Sequence, residues 1–115
     1  MDGKIIFDFQ DNDNYIIALN FNSNLAVVIK TWDNKKYQID FFNCCKLELN
    51  SEIDFEIGSI CIKSSNEFNT NWEEAFIKEN TDFSNYSEIL FYDAWQFERI
   101  NLRIIFENLK ITEIN

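Results

Sequence analysis

Carboxylates are the side chains of this sequence with the most obvious capacity for chemistry. The 115 residues include twenty Asp and Glu against ten Lys and Arg, and they contain no histidine. Two carboxylates such as Glu73 and Glu88 are the pair that glycoside hydrolysis uses, but a chain this acidic supplies such pairs by chance. Histidine, the usual proton carrier near pH 7, is missing. We therefore expect a binding protein without enzymatic activity.

The same residues offer little to a metal or a cofactor. The run from Asp11 to Asn14 begins like a calcium loop, but Ile16 stands at the position of the turn glycine and Asn22 at that of the bidentate glutamate. A solvated acidic turn is the better interpretation. A glycine-rich phosphate loop cannot be built from Gly3 and Gly58, the two glycines of the chain. We expect neither a metal nor a cofactor.

The three cysteines, Cys44, Cys45 and Cys61, form neither a zinc-binding nor a disulfide pattern. Their number is odd, and a ring between the two adjacent ones would be strained. We expect reduced thiols, with Cys45 or Cys61 buried as a small apolar core residue. The segment from Met1 to Phe9 lacks the basic and apolar parts of a secretory signal. These features predict a cytoplasmic protein without a membrane anchor.

Acidic residues are concentrated between Glu67 and Asp93. This window holds seven acidic residues and a single basic one, Lys78, so it carries a net charge of −6 out of the total of −10. Several aromatic side chains lie among them, and aromatic anchors surrounded by carboxylates are typical of surfaces that bind cationic proteins. The candidate partner-binding residues are Trp72, Glu73, Glu74, Glu79, Asp82 and Tyr86.

Charge also decides which partners fit this window. A cationic protein is favoured, whereas nucleic acid is disfavoured because the chain has no basic stripe to contact phosphates. The alternative is a solvated acidic face over ordinary core aromatics, and the sequence leaves that alternative open.

Apolar side chains alternate with a period of two along much of the chain, which predicts β-strands. These strands must therefore position the candidate residues. Tyr15 to Phe21, Tyr37 to Phe41 and Ile100 to Phe106 each place apolar side chains on one face. A continuous apolar run, Leu25 to Trp32, ends at Asp33-Asn34-Lys35-Lys36, which predicts a hairpin turn. Two further strands are expected, from Ile89 to Phe97 and from Leu109 to Ile114.

Two local features interrupt the strands. Apolar parity switches across Gly58 and Ser59, which predicts a β-bulge or sharp bend at Gly58, with two strands and a tight turn as the alternative. A short helix is expected from Trp72 to Glu79, since Asn71 can cap it and Glu74 completes a capping box.

The expected fold is therefore a single domain over residues 1–115. It is mainly β: an antiparallel β-sandwich or strongly curved sheet of six to eight strands with one short helix. Two alternatives to a protein-binding role stay open. The domain could form a small barrel or cup around an apolar ligand, or a homodimer through an exposed sheet edge.

In its layout the chain resembles the immunity proteins that bacteria make against their own polymorphic or contact-dependent toxins. The likeness extends over the whole chain, including the closing run from Phe97 to Phe106, and rests on a small, acidic domain of strands plus one helix. The resemblance implies a mechanism in which the protein covers the active site of a cognate toxin domain, for example a nuclease. Its acids would then stand in for nucleic-acid phosphates and accelerate capture.

Overall fold

Strands account for most of the described chain. The computed structural model describes residues 4–8, 14–21, 24–44, 46–52, 55–64, 85–96 and 98–114. The strands in these ranges are β1 (Lys4–Asp8), β2 (Tyr15–Phe21), β3 (Leu25–Lys30), β4 (Lys36–Phe42), β5 (Lys46–Leu49), β6 (Ile57–Ser64), β7 (Ser87–Asp93), β8 (Ile100–Phe106) and β9 (Asn108–Ile114). No helix is seen in these ranges, and the helix expected from Trp72 to Glu79 lies outside them.

The nine strands form two antiparallel sheets, which confirms the expected mainly β architecture. The larger sheet has the order β1-β6-β7-β8-β5 and the smaller one the order β2-β3-β4-β9. The expected count of six to eight strands was too low for the described residues alone. Strands β1 and β5, of five and four residues, are the two that the alternation did not single out.

Apolar side chains from both sheets pack into one core. Ile29, Ile39 and Phe41 contribute from the smaller sheet, and Phe91 and Phe106 are among those from the larger sheet. The rings of Phe41 and Phe106 meet edge to face, with their centroids 5.2 Å apart. Such aromatic pairs contribute beyond the area they bury. The facing sides of the two sheets are thus joined by direct packing.

The two sheets are also joined through their strands at one corner. Strand β4 pairs with β9 in the smaller sheet, while the strands that follow β4 and precede β9 along the chain, β5 and β8, pair in the larger sheet. Asn43 has a positive φ of 56° at this corner, a conformation that Asn tolerates better than most residues. The Glu107 amide donates to the Phe42 carbonyl at 3.1 Å.

Strand β2 departs from the simple alternation that the sequence suggested. The register between β2 and β3 shifts between Ile16 and Ala18, so Ile17 is an extra residue. Ile16 is therefore buried in the core, while Ile17 is 42% exposed. The expectation that Tyr15, Ile17 and the following odd-numbered residues share one apolar face was wrong at Ile17.

The bulge expected at Gly58 is present. Ile57 pairs with Asp93 and Ser59 pairs with Tyr92, so Gly58 has no residue of β7 opposite it. The alternative of two strands with a tight turn is excluded, because β6 runs without interruption through Gly58. The extra residue lets both Ile57 and Ile60 reach the core.

Central strands of the larger sheet are buried on both faces. Ile89 and Phe91 face the core, and Leu90 between them, pointing to the opposite side, is only 1% exposed. Its opposite neighbour Cys61 and also Ile105 are fully buried. We call this opposite side of β6, β7 and β8 the second face.

Candidate functional site

Most of the sequence-predicted site residues fall outside the described part of the chain. Trp72, Glu73, Glu74, Glu79 and Asp82 are in this group, so their predicted role stays a prediction. Tyr86 is described: it lies just before β7 and is half-buried. Two further acids of the window, Glu88 and Asp93, are also described, and neither lies on an open acidic face.

Charge is unevenly divided between the described residues and the rest of the chain. The described ranges contain nine basic and eleven acidic residues, a net charge of −2. The remaining residues hold nine acidic and one basic residue, so they carry −8 of the total −10. The strand framework is therefore close to neutral.

Glu88 forms a buried ion pair on the second face. Its carboxylate is 1% exposed and lies 3.6 Å from Arg103 Nε. Burial raises the pKa of Glu88, while the charges of Arg103 and Lys63 act in the opposite direction and Glu48 adds to the increase. A substrate could not reach this carboxylate, so the pairing of Glu73 with Glu88 as a hydrolytic dyad is disfavoured.

The two described thiols differ in burial, and neither has the environment of a reactive cysteine. Neither Cys44 nor Cys61 is in a disulfide, as expected, and Cys61 is fully buried on the second face. Burial raises the pKa of the half-buried Cys44 thiol. A raised pKa keeps a thiol protonated at neutral pH, and the thiolate is the reactive form. Cys45 lies outside the described residues.

Two tryptophans are instead the most exposed large apolar side chains of the described chain. Trp32 is 60% exposed and Trp95 is 68% exposed. The other large apolar residues with notable exposure reach no more than 42%; they are Ile17, Phe42, Leu49 and Ile111. Tryptophan is usually well buried, and it is enriched among the residues that dominate binding energy at protein interfaces.

The turn that carries Trp32 is closed by hydrogen bonds on both sides. The Thr31 amide donates to the Lys35 carbonyl at 2.9 Å, and the Asn34 amide donates to the Thr31 carbonyl at 2.9 Å. The Thr31 hydroxyl donates to the Asp33 carboxylate, and that hydrogen bond is the leading reason that the pKa of Asp33 is lowered. Asn34 has a positive φ of 68°, as the last residue of a three-residue hairpin loop commonly does.

The turn that carries Trp95 is organised by the Asp93 carboxylate. It accepts hydrogen bonds from the Trp95 amide at 2.9 Å and from the Gln96 amide at 2.8 Å. Asn101 Nδ2 donates to the other carboxylate oxygen at 2.7 Å. Burial alone would raise the pKa of Asp93, but these hydrogen bonds and the charge of Arg99 together lower it. The carboxylate is therefore ionised at neutral pH and holds the turn in place.

A chain of hydrogen bonds connects the two turns. Asn14 is fully buried, and its Oδ1 accepts from the Trp32 amide at 3.0 Å. The Asn14 carbonyl accepts from the Ile57 amide at 2.7 Å, and the Glu56 carbonyl accepts from the Ala94 amide at 3.2 Å. Since Ala94 precedes the second exposed tryptophan, the two turns are linked to each other through Asn14 and the adjacent residues Glu56 and Ile57. We call residues 31–35 and 93–96 the tryptophan end.

Charged groups of both signs flank the tryptophan end. Glu56 lies on the connecting segment and accepts a hydrogen bond from the Tyr15 hydroxyl at 3.2 Å. Exposed Glu98 follows the second turn. A polar cleft of about 390 Å³ lies between the hairpin and the end of β9; its lining residues are Lys30, Asn34, Lys35, Lys36, Glu113 and Ile114.

Sequence reasoning did not single out either exposed tryptophan. The available signal was position: Trp32 directly precedes the turn residues Asp33 and Asn34, and Trp95 follows Asp93 where the alternation of β7 stops. A large aromatic residue inside a turn sequence has no strand face on which to be buried. That rule, applied to every turn, would have identified both.

Comparisons with protein-family models, with curated proteins and with solved structures found no match for this chain. Within the described ranges, no group of three potential metal ligands among Cys, Asp and Glu comes together. No helix in those ranges is long and apolar enough to cross a membrane.

Proposed function

We propose that this protein is a binding protein that captures a cationic protein partner, and that it acts as the immunity protein of a bacterial toxin. The observation that carries the proposal is the tryptophan end, where two tryptophans are 60% and 68% exposed on turns connected by hydrogen bonds. Leaving such large apolar surfaces in water is unfavourable, and a protein partner would cover them.

The rigidity of the two turns supports a role in binding. Each turn is fixed by side-chain hydrogen bonds, from Thr31 in the first turn and to Asp93 in the second. A partner therefore meets indole rings whose backbone is already ordered, and little conformational entropy is lost on association. Pre-ordered aromatic anchors of this kind are common hot spots.

The negative net charge of the chain indicates that the partner carries positive charge. The chain carries −10, of which −8 lies outside the described residues, including the predicted binding acids. A cationic toxin domain would be attracted over several ångströms before contact, which raises the association rate at low salt. The acidic segments would supply the rate of capture, and the tryptophans the lifetime of the complex.

The alternative of a cup around an apolar ligand finds less support. Buried apolar side chains of both sheets pack into one core between them, and Phe41 and Phe106 are in direct contact there. Ligand cavities need an unfilled apolar space of several hundred Å³.

The proposal is tested with the toxin domain encoded by the neighbouring gene, in co-expression and in a binding assay. Replacing both Trp32 and Trp95 by Ala should raise Kd by at least about 30-fold, mainly through faster dissociation. Phe42→Ala, which truncates a 37% exposed aromatic residue at the end of β4 farther from the Trp32 turn, is the control and should bind like wild type.

A second variant tests the acids. Reversing Glu73, Glu74, Glu79 and Asp82 to Lys should slow association about 10-fold or more at low salt and flatten its salt dependence. Failure of the wild-type protein to protect cells, or the lack of a toxin gene beside this one, would refute the immunity assignment. Unchanged binding by the double tryptophan variant would refute the use of the tryptophan end.

A further inference from the structure

Four strands form the edges of the two sheets: β1 and β5 in the larger sheet, β2 and β9 in the smaller one. An edge strand offers unpaired backbone groups to other chains, and proteins protect edges with bulges, short strands or charged residues. Strands β1 and β2 contain register shifts, and β5 has only four residues. Three of the four edges are therefore interrupted by a bulge or are short.

The fourth edge, β9, is long and regular. It pairs with β4 over seven consecutive positions, from Asn108 to Ile114, without a register shift. Five of its seven residues are exposed, and Ile111 at its centre is 38% exposed. Among the described residues, β9 pairs only with β4. Within the described part of the chain its outer side is thus open to a further strand, and the charged side chains of Lys110 and Glu113 are the features that discourage pairing.

We propose that β9 pairs antiparallel with β9 of a second copy of this chain, about a two-fold axis at Ile111. In this register Ile111 faces its own copy, Lys110 lies opposite Thr112, and Leu109 lies opposite Glu113. No like charges face each other, whereas a register centred on Lys110 would place two lysines directly opposite. The smaller sheets of two copies would then join into one sheet of eight strands.

Charge on the smaller sheet permits this contact despite the acidity of the whole chain. Its four strands carry three basic and two acidic residues, namely Lys30, Lys36, Lys110, Asp40 and Glu113. Two copies would therefore meet through a sheet of slightly positive net charge, and repulsion between distant acids is screened at physiological salt. A second copy also covers Ile111, because each Ile111 lies against the other. This inference does not depend on the proposed function.

Substitutions at Thr112 test the register. Thr112 is exposed, and its partner within the chain is the neutral Gln38, so either charge is tolerated in the monomer. Thr112→Lys places a lysine opposite Lys110 twice in each dimer and should weaken dimerisation, whereas Thr112→Glu should strengthen it. Each change should be roughly 2- to 30-fold in the dimer Kd, measured by sedimentation equilibrium.

If dimerisation depended only on repulsion between two acidic chains, the order of the two dimer Kd values would be reversed. Thr112→Glu would then weaken the dimer and Thr112→Lys would strengthen it, because the glutamate makes each chain more acidic. The order of the two variants therefore separates the proposed register from non-specific association. The proposal would be overturned if the wild-type chain stayed monomeric at every concentration up to about 1 mM. A dimer with a Kd above that value would be too weak to be functional. An equal effect of the two variants would overturn it as well.

Disulfide formation provides an independent measurement. Opposed residues of antiparallel strands have Cα atoms about 4.5–5.5 Å apart, which is within disulfide range. Ile111→Cys should therefore cross-link into a covalent dimer under mild oxidation. Asn108→Cys, an exposed position on the same strand, would lie about 20 Å from its copy and should not. The wild-type chain gives the background from the native thiols, and equal cross-linking at both positions would contradict the register.

Discussion

Replacing Gly58 by alanine is expected to destabilise the protein. Gly58 is the bulged residue of β6, opposite the junction between Tyr92 and Asp93. A Cβ atom added there would lie 2.9 Å from the Asp93 carbonyl oxygen and 3.1 Å from Ala94 Cα. Both neighbours are backbone atoms, so they cannot rotate away as the end of a side chain could.

The magnitude follows from two opposing effects. Alanine restricts the unfolded chain and would by itself stabilise by about 0.4–1 kcal/mol. Relieving the clash requires moving the turn, whose Asp93 amide donates to the Arg99 carbonyl at 2.9 Å and whose Ala94 amide donates to the Glu56 carbonyl at 3.2 Å. Such overpacking costs about 1–3 kcal/mol. We expect a net loss of about 1–2 kcal/mol, or a fall in Tm of roughly 4–8 °C.

Urea denaturation followed by tryptophan fluorescence measures this loss. The free energy of unfolding of Gly58→Ala is compared with that of Ser59→Ala, a neighbour in the same strand, which should stay within about 0.5 kcal/mol of wild type. A Gly58→Ala protein as stable as wild type would refute the reasoning. The restriction that alanine places on the unfolded chain would then fully offset the clash in the folded protein.

Three further outcomes are expected. Asn34→Gly should preserve stability and Asn34→Ala should lower it by about 1 kcal/mol in thermal unfolding, since Asn34 has a φ of 68°. Because its folded-state pKa is lowered, Asp93 should stabilise the protein above its ordinary pKa of 3.8 and lose that contribution as the pH falls through the lowered value; Asp93→Asn should lack this dependence in pH-resolved unfolding. Thiol titration should find Cys61 protected in the folded protein and three reactive thiols after unfolding under non-reducing conditions.

Strand positions could be predicted from the sequence because one-sided burial imposes a period of two. Leu102, Ile104 and Phe106 follow that rule and are all in the core. The rule fails where a bulge inserts a residue, as at Ile17, since nothing in the apolar run Tyr15-Ile16-Ile17 says which isoleucine is extra. At Gly58 the bulge was predictable because glycine marked the change of parity.

The tryptophan end could not be assembled from the sequence, because its connections are long-range. Trp32 is held by Asn14, eighteen positions away, through a side-chain hydrogen bond. Among the described residues, the two turns are joined through Asn14 and the backbone of Glu56 and Ile57. The alternation of apolar residues predicts which face of a strand is buried. It does not predict which turn of one sheet is hydrogen-bonded to which turn of the other.

The predicted binding acids and the two exposed tryptophans differ in how their substitution should affect folding. The described strands and turns carry only −2 and the rest of the chain −8, and the ion pairs Lys35–Asp33 and Arg103–Glu88 do not include the predicted binding acids. Trp32 and Trp95 contribute their backbone amides, rather than their exposed indole rings, to the hydrogen bonds with Asn14 and Asp93 that fix the two turns. Reversal of the predicted acids and truncation of the two indole rings should therefore act mainly on the proposed binding, whereas substitution of Asn14 or Asp93 should affect folding and binding together.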